Sequence, residues 1–278
     1  MRGPLDGRRI LVTGAGSGIG RAIAIEASRR GAQLCLCGRR VQALQDTYAL
    51  LSSSGSNLVV PADITSDTAR SRLASHIGAS WGALDLLVNN AGIISAGRLE
   101  ATRPETISEI LDTNIAAPIL LTREVMPLLV MGRSPRIVNV GSMLGEIPFA
   151  NLAAYSASKA AIKGFSTAMR RELMAKNIGV TYVAPRTTAT EAAAKLADVL
   201  TGGTVDSPER VACQIWDAVQ HNKDHVYPSL MERLFLMLQA VAPRLVDRAV
   251  TPVRPIPPPM ATPSFEDARS KEASHAHS

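Results

Sequence analysis

The feature that most constrains the fold lies near the start of the chain. An apolar run, Ile10-Leu11-Val12, leads into Thr13-Gly14-Ala15-Gly16-Ser17-Gly18-Ile19-Gly20. A segment with Ala22, Ile23 and Ala27 on its apolar side then runs to Arg30 and stops at Gly31. In order, this is a strand, a glycine turn and a helix closed by a C-terminal glycine. Glycines at that spacing let backbone N–H groups at the helix N-terminus approach a pyrophosphate, which Cβ atoms in the turn would hold at a distance. A plain tight turn is the competing reading, and the strand-to-helix context disfavours it. The expected ligand is a dinucleotide.

The same alternation continues along the chain. Apolar strands are expected near 9–13, 33–37, 57–60, 85–89, 136–141 and 179–184, and helices near 18–30, 40–52, 67–80, 104–131 and 154–177. Ser207-Pro208-Glu209 supplies the cap, first-turn proline and acid of one more helix, ending at about Gln220. Strands alternating with amphipathic helices predict an α/β domain with a doubly wound parallel sheet, covered on both faces. Ligands of such sheets sit beyond the carboxyl ends of the strands.

Composition narrows the function classes. With 278 residues and 46% hydrophobic side chains the chain can bury one sizeable core. No run of eighteen uninterrupted apolar residues occurs, and Met1 to Gly7 lacks the apolar segment of a secretory signal, so a cytoplasmic protein is expected. The net charge of +6 is scattered and aromatics make up only 4%, which argues against a nucleic-acid partner and for attraction of an anionic cofactor. Cys35 and Cys37 share one face of an apolar strand and Cys213 lies in a distant helix, so all three read as core thiols. The histidines form no recognisable ligand set, and no metal is expected.

A second pattern carries chemistry. Tyr155 and Lys159 stand four residues apart, so on a helix the phenol and the ammonium share a face. A phenol has an ordinary pKa near ~10, and an adjacent ammonium favours the phenolate, moving tyrosine toward useful proton transfer. Alone, such a pair usually marks an exposed surface contact.

Five motifs in order resemble the classical short-chain dehydrogenase/reductase family over roughly residues 7 to 190. They are the T-G-x-x-x-G-I-G turn at 13–20, Asn89-Asn90-Ala91-Gly92 closing the strand Leu86-Leu87-Val88, Asn114, Ser142 after the strand 136–141, and Tyr155 with Lys159. The resemblance implies a single-domain Rossmann fold, hydride transfer with a nicotinamide cofactor, and a homodimer or homotetramer. It makes Tyr155 the general acid toward a carbonyl oxygen. Lys159 would hold the ribose and lower the phenol's pKa, Ser142 would hydrogen-bond the substrate oxygen, and Asn114 would anchor a water joining Lys159 to solvent. It assigns cofactor contacts to Gly14, Ser17, Gly18, Ile19, Gly20, Asp63, Asn90, Ala91, Gly92, Tyr155, Lys159, Pro185, Thr188 and Thr190.

Cofactor choice is written at the end of the second strand. An NAD enzyme usually carries an acid there for the ribose hydroxyls, whereas a 2′-phosphate needs the acid absent and an arginine nearby. Here Gly38 is followed by Arg39 and Arg40, which points to NADP. One departure stands after the sixth strand: Pro185 is followed by Arg186 where the family usually has glycine. Arg186 then either meets an anionic or phosphate-bearing substrate or faces solvent.

Residues 1–250 are expected to form the catalytic domain, with 186–205 a mobile substrate lid and 229–250 an apolar helical segment. That segment reads as packing on the core or on a sister subunit, or, with Arg233, Arg244 and Arg248, as peripheral membrane contact through 230–248. The tail 251–278, with six prolines in 252–263, is expected to be disordered. The leading function is an NADPH-dependent reductase of a ketone or aldehyde, with a hydrophobic substrate such as a lipid or acyl chain. An NAD-dependent alcohol dehydrogenase and a non-catalytic cofactor sensor are the alternatives. A serine hydrolase is weaker, because Ser142 lacks the nucleophile-elbow glycines.

Overall fold

The computed structural model of the protein describes residues 4–52, 56–194 and 204–250, with side chains described as far as residue 247. Residues 195–203 of the expected lid and the whole tail from 251 lie outside these described residues. Seven parallel strands form one sheet in the order β3-β2-β1-β4-β5-β6-β7. They are β1 (Arg9–Thr13), β2 (Gln33–Gly38), β3 (Leu58–Pro61), β4 (Leu86–Asn89), β5 (Arg136–Val140), β6 (Gly179–Val183) and β7 (His225–Val226). The helices are α1 (Gly18–Arg29), α2 (Val41–Ala49), α3 (Asp67–Trp81), α4 (Pro104–Leu111), α5 (Ala117–Val130), α6 (Ala153–Glu172), the single turn α7 (Glu191–Ala194), α8 (Pro208–Gln220), α9 (Leu230–Val241) and α10 (Pro243–Val250).

The strands are apolar throughout because both faces of the sheet are covered. Ile10 and Val12 of β1 point to one core, where Ile23 and Ala27 of α1 meet Ile215 and Trp216 of α8. Leu11 points to the other, where Leu73 and Ile77 of α3 meet Leu121 and Val125 of α5. Trp216 is fully buried and its indole N–H donates to the Ile23 carbonyl at 3.0 Å, so α8 closes the back of α1. Cys35 and Cys37 are buried in the second core, and burial pushes the Cys37 thiol up to about 12.

At the amino-terminal edge of the sheet, Asp85 joins three strands. Its carboxylate accepts from the Arg9 backbone N–H at 2.8 Å, the Arg9 guanidinium at 3.0 and 3.2 Å, and the Arg133 backbone N–H at 2.6 Å. Helix ends follow local chemistry. Ser66 caps α3 by accepting from Ala69 N–H and Gly82 closes it with φ +70°, while Ser207 caps α8 ahead of Pro208.

Two elements differ from the sequence expectation. The sheet has a seventh strand, since β6 leaves an edge on which Tyr182 and Val183 pair with His225 and Val226. The helix expected over 104–131 is broken at Asp112–Ala116 by a π turn that carries Asn114, a distortion that often marks functional positions. By length and composition Pro104–Val130 is long and apolar enough to cross a membrane; Leu121, Val125 and Leu129 of this stretch are buried in the second core.

Candidate active site

The strand order reverses between β1 and β4, and the ends of those strands diverge to open a crevice. The glycine turn fills one side of it. Gly20 is required by close approach: a Cβ there would stand 2.2 Å from the Gly14 carbonyl oxygen and 2.4 Å from the Asn90 amide. Thr13, which the sequence reading gave no role, fastens the two strand ends together. Its hydroxyl donates to the Val88 carbonyl at 3.2 Å and accepts from the Asn90 and Ala91 N–H groups at 3.0 and 3.1 Å, while the Asn90 amide donates to the Thr13 carbonyl at 2.9 Å. Ser17 is the N-cap residue of α1 with extended backbone, and no acid lies in the first turn of that helix.

A cavity of ≈ 970 Å³ runs from this turn along the carboxyl ends of the strands. It brings together Gly14, Ser17, Gly18, Ile19, Gly20, Gly38, Arg39, Arg40, Asp63, Asn90, Ala91, Gly92, Ser142, Tyr155, Lys159, Pro185, Thr188 and Thr190. At one end Arg39 and Arg40 are exposed beside Gly38. Asp63 is turned onto Thr65, accepting from its N–H at 3.0 Å and its hydroxyl at 2.8 Å, which with nearby Arg39 lowers its pKa. Thr190 reaches across the glycine turn, its methyl 3.0 Å from where a Cβ of Gly18 would lie.

At the other end lie the polar groups. Ser142 follows β5, its hydroxyl accepting from the Leu144 N–H at 3.1 Å and lying near enough to Tyr155 to lower the phenol's pKa slightly. Gly141 before it must be small, because the Tyr182 ring lies 2.3 Å from the place a Cβ would take. Tyr155 and Lys159 share a face of α6, and the Lys159 Nζ lies 5.8 Å from the phenol ring centre while donating to the Val140 carbonyl at 3.0 Å. Burial pushes the Tyr155 phenol up to about 12, against a smaller lowering by Ser142, and brings Lys159 down to about 8. The Lys159 ammonium is directed to a backbone carbonyl, and desolvation is the largest influence on both groups. Asn114 lies outside the cavity lining. Its amide donates to the Ile93 carbonyl at 2.9 Å and to the Ser158 hydroxyl at 3.0 Å, and its oxygen accepts from the Ile93 N–H at 2.9 Å. It thus pins the backbone next to Gly92, beside Lys159.

Arg186 lines the cavity and is part-buried, so it does not simply face solvent. Its guanidinium makes a two-pronged pair with Asp206, both contacts at 2.9 Å, and donates to Glu232 on α9 at 2.7 Å. Asp206 is itself buried and bridges to Thr188 through the backbone. Asp206 and Glu232 went unnoticed in the sequence, because nothing in their local surroundings marks them. Beyond Ser142 the cavity wall turns apolar with Ile94, Met143, Ile147, Phe149, Met231 and Phe235. Among the described residues no group of three or more His, Cys, Asp or Glu could hold a metal ion.

A family model described as short chain dehydrogenase matches residues 8–200. The chain belongs to the short-chain dehydrogenase/reductase family. Its relatives include the bovine (Bos taurus) dehydrogenase/reductase SDR family member 7B, 32% identical over 265 residues that cover 89% of this chain and 82% of that protein. The 3-oxoacyl-[acyl-carrier-protein] reductase FabG of Escherichia coli is 33% identical over 193 residues, 69% of this chain and 78% of that one. Among solved structures, the 3-ketoacyl-(acyl-carrier-protein) reductase of Brucella melitensis complexed with NADH superposes with a TM-score of 0.72 at 26% identity, covering 80% of this chain and 96% of its own. The short-chain dehydrogenase is an NAD(P)-dependent oxidoreductase, and its sheet and flanking helices are the single-domain, doubly wound fold of that family.

Proposed function

We propose that this short-chain dehydrogenase reduces a ketone or aldehyde carried on an apolar chain, with NADPH as reductant. The observation that carries the reading is the lining of this cavity: Gly38, Arg39 and Arg40 lie at one end, Ser142, Tyr155 and Lys159 at the other, and Ile94, Met143, Ile147, Phe149, Met231 and Phe235 add apolar surface beyond them.

The residues fit a dinucleotide. The N–H groups over Gly14 to Gly20 would hold a pyrophosphate at the N-terminus of α1, and Asn90, Ala91 and Gly92, which follow β4, would contact the cofactor from the same cavity. Arg39 and Arg40 take the 2′-phosphate in the absence of an acid, and Asp63 serves the adenine amino group. Pro185, Thr188 and Thr190 hold the carboxamide, and Lys159 the ribose. When bound, NADPH supplies the hydride. Tyr155, protonated at neutral pH, gives its proton to the carbonyl oxygen. Ser142 donates a hydrogen bond to that oxygen where charge develops, and Asn114 anchors the water through which the phenol is reprotonated. The catalytic domain spans 1–250, and the family resemblance supports a homodimer or homotetramer.

The test is absorbance-followed oxidation of NADPH and NADH against a panel of ketones, aldehydes and 3-oxoacyl thioesters of increasing chain length. Turnover that prefers NADPH and improves with chain length is the expected result. Binding of both cofactors with no turnover on any member would leave the sensor reading in place. A charge-assisted contact from arginine contributes about 1.5–3 kcal/mol, so wild type should prefer NADPH by about tenfold to a hundredfold in kcat/KM. Gly38→Asp with Arg39→Ala should reverse that ratio. An NADH preference in wild type would remove the Gly38-Arg39 reading and favour the alcohol dehydrogenase.

A further inference from the structure

α9 is anomalous in its burial. Leu230, Met231, Leu234, Met237 and Val241 each expose more than half of their surface, and no residue of the helix is buried. On α10 Leu245 is 55% exposed. An apolar helix that buries no face calls for a cover.

Three further observations say what the cover is. The fold sorts the two charged side chains of α9: Glu232 turns inward onto Arg186 and Ser229, while Arg233 stands exposed with its guanidinium carbon 5.9 Å from the Tyr227 ring centre. Arg244 is exposed on α10, and the chain as a whole carries +6. Met231 and Phe235 belong both to this exposed surface and to the cavity wall, so the cavity opens on the same face.

We propose that the α9–α10 face seats on an anionic phospholipid bilayer, with its apolar side chains in the interfacial layer, Arg233 and Arg244 among the phosphates, and the cavity mouth opening toward the membrane. The preference for a bilayer over a second copy rests on reading that cavity as the site for an apolar carbonyl compound. A second copy over Met231 and Phe235 would shut the cavity, and a two-fold contact would set the same arginines near one another. A bilayer instead is a reservoir of apolar compounds and supplies the opposite charge.

Sedimentation of the full chain with vesicles tests this without any turnover. Vesicles of phosphatidylcholine alone are compared with vesicles of phosphatidylcholine and phosphatidylglycerol, each at low and high salt. Wild type should bind the anionic vesicles about tenfold more tightly than the neutral ones at low salt and lose most of that preference at high salt. Leu234→Glu/Leu238→Glu, two sites outside the cavity wall, should abolish binding to both. Arg233→Glu leaves the apolar stripe intact and should lower only the anionic preference, which keeps the test decisive if the double variant fails to fold. No binding to either vesicle, or equal binding to both, overturns the proposal. So does a dimer in analytical ultracentrifugation that Leu234→Glu/Leu238→Glu converts to monomer while vesicles bind neither form, for then a second copy covers the helix.

Discussion

At the residue scale the site depends on two groups whose proton affinities burial moves in opposite directions. Tyr155, pushed up to about 12, stays a neutral acid through the neutral range, so its value lies in the proton it holds. Tyr155→Phe should cut reduction about a thousandfold, the scale of a lost general acid, while cofactor affinity by fluorescence titration stays nearly intact; unchanged turnover would remove the assignment. Lys159, brought down to about 8 by burial, is charged below that value and neutral above it. Affinity for NADPH in the otherwise empty enzyme should therefore weaken as pH rises through about 8, and Kd titrated from neutral to alkaline pH checks it. A flat profile would show that the ribose contact does not need the charge. The spacing of Tyr155 and Lys159 was legible in the sequence, because four residues on a helix fix a shared face. Their mutual effect was not, since it depends on where the ammonium turns, and the Val140 carbonyl that receives it lies 19 positions away.

At the element scale the Arg186 cluster ties the loop after β6 to the segment before α8 and to the first turn of α9. Arg186→Ala would leave the buried Asp206 carboxylate with only the longer Arg210 contact at 3.5 Å and Glu232 with its cap serine. Losing one partner of such a group should cost about 2 kcal/mol of stability, read as a lower urea midpoint at unchanged slope. A midpoint shift near zero would mean that Arg210 substitutes fully. Strands and helices with strong periodicity are legible in the sequence, as β1, α1 and α6 show. β7 was not, because two residues carry no period and their pairing is set by the free edge of β6. Nor was the cluster, whose acids stand 20 and 46 positions from Arg186. The break at Asp112–Ala116 was hidden as well, because Asp-Thr-Asn-Ile-Ala carries no glycine or proline to mark it and helical spacing of apolar residues resumes on either side.

At the scale of the whole molecule, the amino-terminal edge of the sheet depends on one carboxylate. Burial alone would raise the pKa of Asp85, but hydrogen bonds from the Arg9 side chain and backbone and from the Arg133 backbone outweigh it and hold it below the usual carboxylate range. A group depressed in this way adds stability that is present above its unfolded value near ~4 and is lost as pH falls through the folded value. Asp85→Asn should cost about 3 kcal/mol near neutral pH and flatten the fall of Tm on the acid side; an acid limb of unchanged steepness would assign the sensitivity elsewhere. The sheet also has a history in time. Ile23 and Trp216, which join the first helix to the eighth, are 193 positions apart. At a synthesis rate of roughly 5–20 residues per second, about 10 to 40 s separate their emergence from the ribosome. Throughout that interval the helix behind the glycine turn has no partner on its outer side, so a nascent chain halted before residue 208 displays Ile23 and Ala27 as a sticky surface, and the nucleotide cradle acquires its backing only once α8 has been made.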